Sequence, residues 1–326
     1  ELGFVDDPPA DLAGSGTSDL GCLESSDLTE IPESPFAIEH ADWPLPIIPW
    51  VLADLDGDRI LDAIEIPAAF RRGLGGGAFA PAVLIDAQRY PAVQAADLDD
   101  DGVLDLMAFA CQGGVSYLNN GKGTFGKPVS FSLPECANGL IPADLDRDNK
   151  SDLLAIYRDG YSIHHGRGDG SFVGAVKVPF NLPKPSPSAV GAAVDDWNGD
   201  GRLDFIVETS GGKQGVAAFL ILQGGLGTFT PPEALPVAGS ATSAVPADFD
   251  RDGHLDVAVG YGSASYAGGC AILRGDGKGH LGPPLGLAGP SGAGRDTFAI
   301  ADLDNDGLPD LLLGGKQLSV VLNTTR

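Results

Sequence analysis

A nine-residue pattern of aspartates recurs along this chain and constrains its fold more than any other feature. Six segments read D-x-[DN]-x-D-x-x-x-D, and their first residues are Asp54, Asp97, Asp144, Asp196, Asp248 and Asp302. A seventh segment, Asp11–Asp19, keeps only the outer two aspartates. Successive starts are 43, 43, 47, 52, 52 and 54 residues apart. A period of about 40–50 residues is the size of a four-stranded propeller blade.

The sequence between the aspartate segments predicts short strands. Apolar, β-prone runs such as Leu106–Ala110 and Val257–Val259 follow the segments, and Gly-x-Phe turns such as Gly123–Phe125 come next. The 47 glycines and 25 prolines also suit many tight turns. We therefore predict an all-β fold, a single seven-bladed β-propeller over residues 1–326 with a degenerate first blade.

The ends of the chain leave the closure of the last blade open. The sequence ends in the third strand of that blade, at Ser319–Asn323, and begins close to a first strand near Phe4. Either residues before Glu1 supply a fourth strand, or the last blade closes with three strands.

Carboxylates at alternate positions, with a fourth one four residues later, place several oxygen atoms around one point. Ca²⁺ accepts six to eight oxygen ligands, including a backbone carbonyl from the seventh position. An EF-hand would need a ligating glutamate at position twelve, where five of the six segments have an apolar residue. We predict about six Ca²⁺ ions, with these ligands: Asp54, Asp56, Asp58, Ile60, Asp62; Asp97, Asp99, Asp101, Val103, Asp105; Asp144, Asp146, Asp148, Lys150, Asp152; Asp196, Asn198, Asp200, Arg202, Asp204; Asp248, Asp250, Asp252, His254, Asp256; Asp302, Asp304, Asp306, Leu308, Asp310.

The sixth position of each segment must turn sharply, which favours glycine. Four segments have glycine there and one has Asn149, but the first has Arg59. We therefore expect the Asp54 segment to be distorted.

The charge of the chain agrees with cation binding. The formal net charge is −25, and 23 of the 45 acidic residues occupy predicted ligand positions. So acidic a chain is a poor partner for nucleic acid, because phosphate binding needs clustered lysine and arginine. No apolar run is long enough to predict a membrane span.

With these motifs, the repeats resemble the FG-GAP/VCBS family, known from the integrin α-subunit propeller and from Psathyrella-type fungal lectins. The resemblance covers nearly the whole chain and implies a calcium-binding propeller whose metal positions are those given above. It also implies that the loops are structural and that partners bind at the opposite face or between blades. It does not identify the ligand-binding residues, because no motif here marks them.

Aromatic and charged residues are expected on the face opposite the aspartate loops, where such residues are typical of binding surfaces. The candidates for ligand binding are Trp43, Arg89, Tyr90, Tyr157, Arg158, Tyr161, Tyr261, Tyr266, Arg295 and Asp296. His164 and His165 are expected to be exposed strand residues, and Trp197 to be core.

Cys111 and Cys136 are expected on the same face, so we predict a disulfide between them. Cys22 and Cys270 belong to non-adjacent blades in this scheme and are expected to stay unpaired. A disulfide fits a secreted or cell-surface protein.

The sequence favours a non-catalytic module that recognises carbohydrate or an extracellular protein. Nucleophile-elbow, metalloprotease, P-loop and dinucleotide motifs are absent from the sequence. Two alternatives stay open: a polysaccharide lyase or hydrolase on a propeller scaffold, and a structural domain of a larger secreted protein.

Overall fold

The computed structural model describes most of the chain beyond residue 50 and one short earlier segment. The described residues are 20–23, 51–65, 68–76, 78–88, 90–182, 188–210, 216–225, 228–237, 239–263, 266–288, 297–302, 306–314 and 318–323. Among them there is no helix with the length and apolar character that a membrane crossing requires.

The described residues form six antiparallel four-stranded sheets, which we call blades A to F in chain order. Blade A contains β2 (Val51–Ala53), β3 (Asp62–Glu65), β4 (Ala69–Arg71) and β7 (Val83–Leu84); blade B contains β8 (Ala92–Ala96), β9 (Asp105–Ala110), β10 (Gly113–Tyr117) and β11 (Val129–Ser132); blade C contains β12 (Gly139–Ala143), β13 (Asp152–Tyr157), β14 (Gly160–His164) and β15 (Val178–Pro179). Blade D contains β16 (Ser188–Asp195), β17 (Asp204–Ser210), β18 (Ala218–Ile221) and β21 (Glu233–Ala234); blade E contains β22 (Ala241–Ala247), β23 (Asp256–Ser263), β24 (Tyr266–Leu273) and β25 (Leu285–Ala288); blade F contains β26 (Thr297–Ala301), β27 (Asp310–Gly314), β28 (Leu318–Asn323) and β1 (Leu20–Leu23).

Each aspartate segment joins the first two strands of its blade, and each Gly-x-Phe turn follows the third strand. Two of these turns form separate two-stranded hairpins, β5 (Gly73–Gly75) with β6 (Ala78–Phe79) and β19 (Gln223–Gly225) with β20 (Thr228–Phe229). The fourth strand of the blade begins a few residues after the turn.

The hydrophobic core lies between the sheets, because both faces of the second strand are apolar. In β9, Leu106 and Ala108 pack towards blade A, and Met107 between them packs towards blade C. Five such clusters join consecutive blades from A to F. This face-to-face stacking of small antiparallel sheets is a β-propeller, as predicted.

Blade F is four-stranded and its fourth strand lies within this sequence, so both alternatives, a strand from before Glu1 and closure with three strands, are wrong. Its outer strand is β1, which pairs antiparallel with β28 from Leu20↔Asn323 to Leu23↔Val320. The segment after the degenerate first repeat thus covers the free edge of β28, which would otherwise expose unpaired backbone groups. The Asp11–Asp19 segment and the rest of the expected first blade lie outside the described residues, so the count of seven blades stays a prediction.

Cys111 follows β9, Cys136 precedes β12, and the two form a disulfide. Cys270 is buried on β24, between blades E and F. The side chain of Cys22 lies outside the described residues, so the state of these two cysteines stays a prediction.

Candidate functional site: aspartate loops and an interblade groove

The aspartate loops share one hydrogen-bonding scheme. The first aspartate of each loop accepts hydrogen bonds from backbone N–H groups later in the loop; in blade B, the Asp101 and Gly102 N–H groups donate to Asp97. This scheme holds the sixth residue in the left-handed region, with φ of 83° at Gly102.

The expected distortion at Arg59 does not occur. Arg59 adopts φ of 68°, and its N–H donates to Asp54 Oδ2 at 2.8 Å, as Gly102 does to Asp97. The left-handed conformation costs energy for a residue with a Cβ atom, but the backbone bond to Asp54 holds it in place.

Side-chain atoms of types that can bind a metal converge in four of the loops, within the part of the chain that the structure describes. Groups of three side chains have one ligand atom each within 4.8 Å of one another: Asp54, Asp56 and Asp58; Asp97, Asp99 and Asp101; Asp144, Asp146 and Asp148; Asp146, Asp152 and His165; Asp248, Asp250 and Asp256. In the Asp302 loop, Asp304 lies outside the described residues. In the Asp196 loop, Asn198 replaces one carboxylate.

The ninth-position aspartates are fully buried in the structure. Burial raises the pKa of Asp105, Asp204 and Asp256 to about 6 in each case, because desolvation disfavours the charged form. Backbone N–H donors, such as Leu98 and Asn119 for Asp105, offset only part of this effect.

Two buried carboxylate oxygens in the described parts of the loops lack a hydrogen bond of good geometry and have only weak donation from a backbone N–H of the same loop. They are Oδ1 of Asp99 and Oδ2 of Asp204. Burial, followed by the charges of Asp101 and Asp97, raises the pKa of Asp99. A buried carboxylate oxygen without a good donor is costly unless a cation faces it. The donor set of the loops therefore fits an oxygen-preferring divalent cation, and the four carboxylates of blade B would hold it.

In three of the loops, a basic side chain from outside the loop lies close to the aspartate at the third position, a contact that the sequence pattern did not predict. Arg72 Nε lies 2.7 Å from Asp56 Oδ2, His165 Nδ1 lies 3.1 Å from Asp146 Oδ2, and Arg274 Nε lies 3.2 Å from Asp250 Oδ2. All three immediately follow the third strand of their blade. The signal was available in the sequence, because each precedes a glycine: Arg72-Gly73, His165-Gly166 and Arg274-Gly275.

A groove runs along the outer strands between blades C and D. The part farther from the aspartate loop of blade C, which we call the lower part, is a cavity of about 460 Å³. The upper part of the groove, of about 220 Å³, extends to Asp146 and His165 at the loop of blade C. Tyr161, Val178 and Phe229 line both parts.

The walls of this groove combine aromatic rings with polar groups. Tyr161 has its ring centroid 5.4 Å from that of Phe180 and 5.6 Å from that of Phe229. Asn181 and Thr230 also line the lower part. The groove therefore offers both apolar faces and hydrogen-bonding groups to a ligand.

Those predicted ligand-binding residues that the structure describes do not form one surface. Tyr161 borders the groove but is itself buried in the core between blades C and D, Arg158 is exposed and donates to Ser188 Oγ, and Tyr261 packs at the edge of the core between blades D and E. Tyr90 and Tyr157 are buried in the core, so as exposed ligand contacts they were wrongly predicted. Trp43, Arg89, Arg295, Asp296 and the side chain of Tyr266 lie outside the described residues.

His164 is buried rather than exposed, which corrects the expectation. Ser162 Oγ lies 2.8 Å from both His164 Nε2 and Tyr157 Oη. Burial lowers the pKa of His164. Because all three side chains are shielded from solvent, this chain of hydrogen bonds satisfies buried polar groups and offers no access to a substrate. Trp197 is core, as predicted.

A family model of the FG-GAP-like repeat matches residues 97–155, 144–207 and 196–259, which together span half of the chain. The chain belongs to the FG-GAP-like repeat family. Each match begins at the first aspartate of one loop and ends in the second strand of the next blade, so successive matches overlap and follow the period of the blades.

This FG-GAP repeat protein is similar to cartilage acidic protein 1 from Homo sapiens and from Mus musculus. Both are 26% identical over 245 residues, covering 72% of this chain. The chain spans only about a third of their length, 34%.

Two lectin structures share its fold. One is an Agrocybe aegerita lectin described as recognising non-reducing terminal N-acetylglucosamine, with a TM-score of 0.63, 21% identity, and coverage of 85% of this chain and 77% of that one. The other is the BP39L lectin of Burkholderia pseudomallei, with a TM-score of 0.60, 13% identity, and coverage of 84% and 80%.

Proposed function

We propose that this protein is a secreted, calcium-binding recognition module without catalytic activity, and that it binds carbohydrate in the groove between blades C and D. The observation that carries the carbohydrate proposal is the combination of aromatic walls and polar edges in that groove. Sugar rings stack on aromatic faces while their hydroxyl groups hydrogen-bond to amides and hydroxyls.

Calcium is supported by the chemistry of the loops. Four carboxylates of one loop, three of them with oxygens within 4.8 Å in blade B, form a hard oxygen donor set. A bound cation would provide an electrostatic partner for the buried carboxylate oxygens of Asp99 and Asp204. When bound, Ca²⁺ would neutralise these carboxylates and hold the loop that joins the first two strands.

Carbohydrate as the ligand is supported by two independent lines. The groove has a mixed apolar and polar lining, and the two propellers of similar fold described above are lectins. Extracellular location is supported by the Cys111–Cys136 disulfide, since such bonds persist in oxidising compartments.

A substitution at Val178 tests the groove directly. Val178 is 44% exposed, lines both parts of the groove and pairs with Tyr161. An arginine at this position should fill the groove and weaken binding to glycan-array hits at least about tenfold, with an unchanged melting temperature.

The matched control is Val83→Arg in blade A. Val83 is 64% exposed and pairs with Phe70 at the equivalent place in its blade, but it lines neither part of the groove. Equal binding by Val83→Arg and wild type, and loss in Val178→Arg, is the expected result. An array without hits, or hits that Val178→Arg leaves unchanged, would refute the proposed site.

A further inference from the structure

The residue that follows the third strand differs between alternate blades. Blades A, C and E have Arg72, His165 and Arg274, each followed by glycine, whereas blades B and D have Leu118 and Leu222, followed by Asn119 and Gln223. These positions are structurally equivalent. In each of these blades, the backbone N–H of the residue that follows donates to the aspartate at the ninth position of the loop. Its distances to that carboxylate are 2.7–2.9 Å in all five blades.

In blades A, C and E, this basic side chain contacts the aspartate at the third position of the loop. In blade A the contact is double, because Arg72 Nη2 also lies 2.8 Å from Asp58 Oδ2. The loops of blades A and E thus contain an internal positive charge where a metal would supply one.

In blades B and D, the equivalent leucine leaves the third position without such a partner. The two carboxylate oxygens that lack a good hydrogen bond, on Asp99 and on the fully buried Asp204, fall in these two blades. The negative charge of the loop of blade D is partly compensated, because Arg202 pairs with Asp200 and Asn198 is neutral. The loop of blade B has aspartates at all four carboxylate positions of the motif, and within the described ranges none of them forms an ion pair with a basic side chain.

We propose that the residue after the third strand sets the calcium affinity of each loop, and that the loop of blade B is the tightest site among blades A to E. The inference rests on the proposed calcium binding. A doubly charged ion about 5 Å from a guanidinium is repelled by roughly 1–2 kcal/mol even with water-like screening, which corresponds to about tenfold in affinity. The arginine must also be displaced from the carboxylate oxygens that the ion uses.

Exchanging these residues between blades A and B tests the inference. Arg72→Leu gives the loop of blade A the residue of blade B, and Leu118→Arg does the reverse. Calcium binding to chelator-stripped protein is measured by isothermal titration calorimetry, with ion stoichiometry checked by elemental analysis. Arg72→Leu should add one tight site, with an affinity about tenfold above that of the wild-type loop. Leu118→Arg should remove the tightest site.

The two variants differ in how strongly they can disturb the fold, so the test stays decisive even if one of them is destabilised. Leu118 is half-buried and its substitution can disturb the core, whereas the Arg72 side chain is 54% exposed and its replacement leaves the core intact. The charge control is Lys127→Leu, which removes an exposed cation of blade B outside the aspartate loops and should leave the titration unchanged.

Each result is distinguishable from failure of the proposed function. Wild-type protein that binds no Ca²⁺ overturns both the calcium proposal and this inference. Wild-type protein that binds Ca²⁺, with an identical titration for Arg72→Leu, overturns the inference alone.

Discussion

Individual carboxyl groups in this protein differ in how burial and their neighbours set their charge. Glu208 on β17 is partly buried, and its Oε1 accepts a hydrogen bond of 2.8 Å from the Ala244 N–H of blade E. Burial raises the pKa of Glu208, and that hydrogen bond offsets the effect only in part. Because the pKa is higher in the folded than in the unfolded state, the charged form destabilises the fold, and stability falls as the pH rises from the unfolded pKa to the folded pKa.

Glu208→Gln should therefore raise the melting temperature at pH 8 and leave it nearly unchanged at pH 4, where glutamate is already protonated in the fold. The amide keeps an oxygen acceptor for the Ala244 N–H. Thermal unfolding followed by circular dichroism at the two pH values provides the measurement, with the exposed Glu233→Gln as control. A loss of stability at pH 8 would show that the charge itself is needed there.

Residue-level predictions from sequence succeeded where the motif determined the environment. Alternate aspartates converge because the loop scheme is local, within nine residues. Tyr90 and Tyr157 were misplaced because their burial depends on the packing of neighbouring blades, which no local pattern specifies. Arg59 was misjudged because propensity at one position was weighed without the backbone bond that fixes it.

Adjacent blades are linked by side-chain amides as well as by apolar packing. Asn119 Nδ2 donates to Leu55 O of blade A at 2.7 Å, Gln223 Nε2 to Leu145 O of blade C at 2.9 Å, and Asn323 Nδ2 to Phe249 O of blade E at 2.7 Å. The acceptor is always the second residue of the preceding loop. This particular amide link therefore joins blade A to B, C to D and E to F.

Removing one of these links should cost measurable stability. Asn119→Ala deletes the bonds to Leu55 O and Leu104 O, and leaves Leu55 O with only the longer bond of 3.3 Å from the Gly123 N–H. We expect a loss of about 1–3 kcal/mol in the free energy of unfolding, measured by urea denaturation. The neighbouring exposed Asn120→Ala is the control; equal stabilities for the two variants would show that the link contributes nothing.

At the scale of elements, the period of the aspartate segments was enough to predict four-stranded blades and their strand order. The pairing of β1 with β28 could not be predicted, because it joins segments from opposite ends of the sequence and depends on which sheet edge is left open. The alternation between blades also escaped notice, since a search for one repeat averages over differences between neighbouring repeats.

For the whole molecule, the described blades place many carboxylates in loops that connect their first and second strands. A net charge of −25 opposes compaction by self-repulsion. Cations bound to the native loops would remove this repulsion and stabilise the fold by mass action. A site at a hundredfold excess of Ca²⁺ over its Kd contributes about 2.7 kcal/mol, so several sites together should dominate the stability.

Thermal unfolding with and without chelator tests this account most directly. The melting temperature should fall by many degrees in EDTA, recover when Ca²⁺ is restored, and recover far less with Mg²⁺, which demands smaller octahedral sites and keeps its water. Superimposable unfolding curves in EDTA and in Ca²⁺, together with no calcium in the purified protein, would contradict the account.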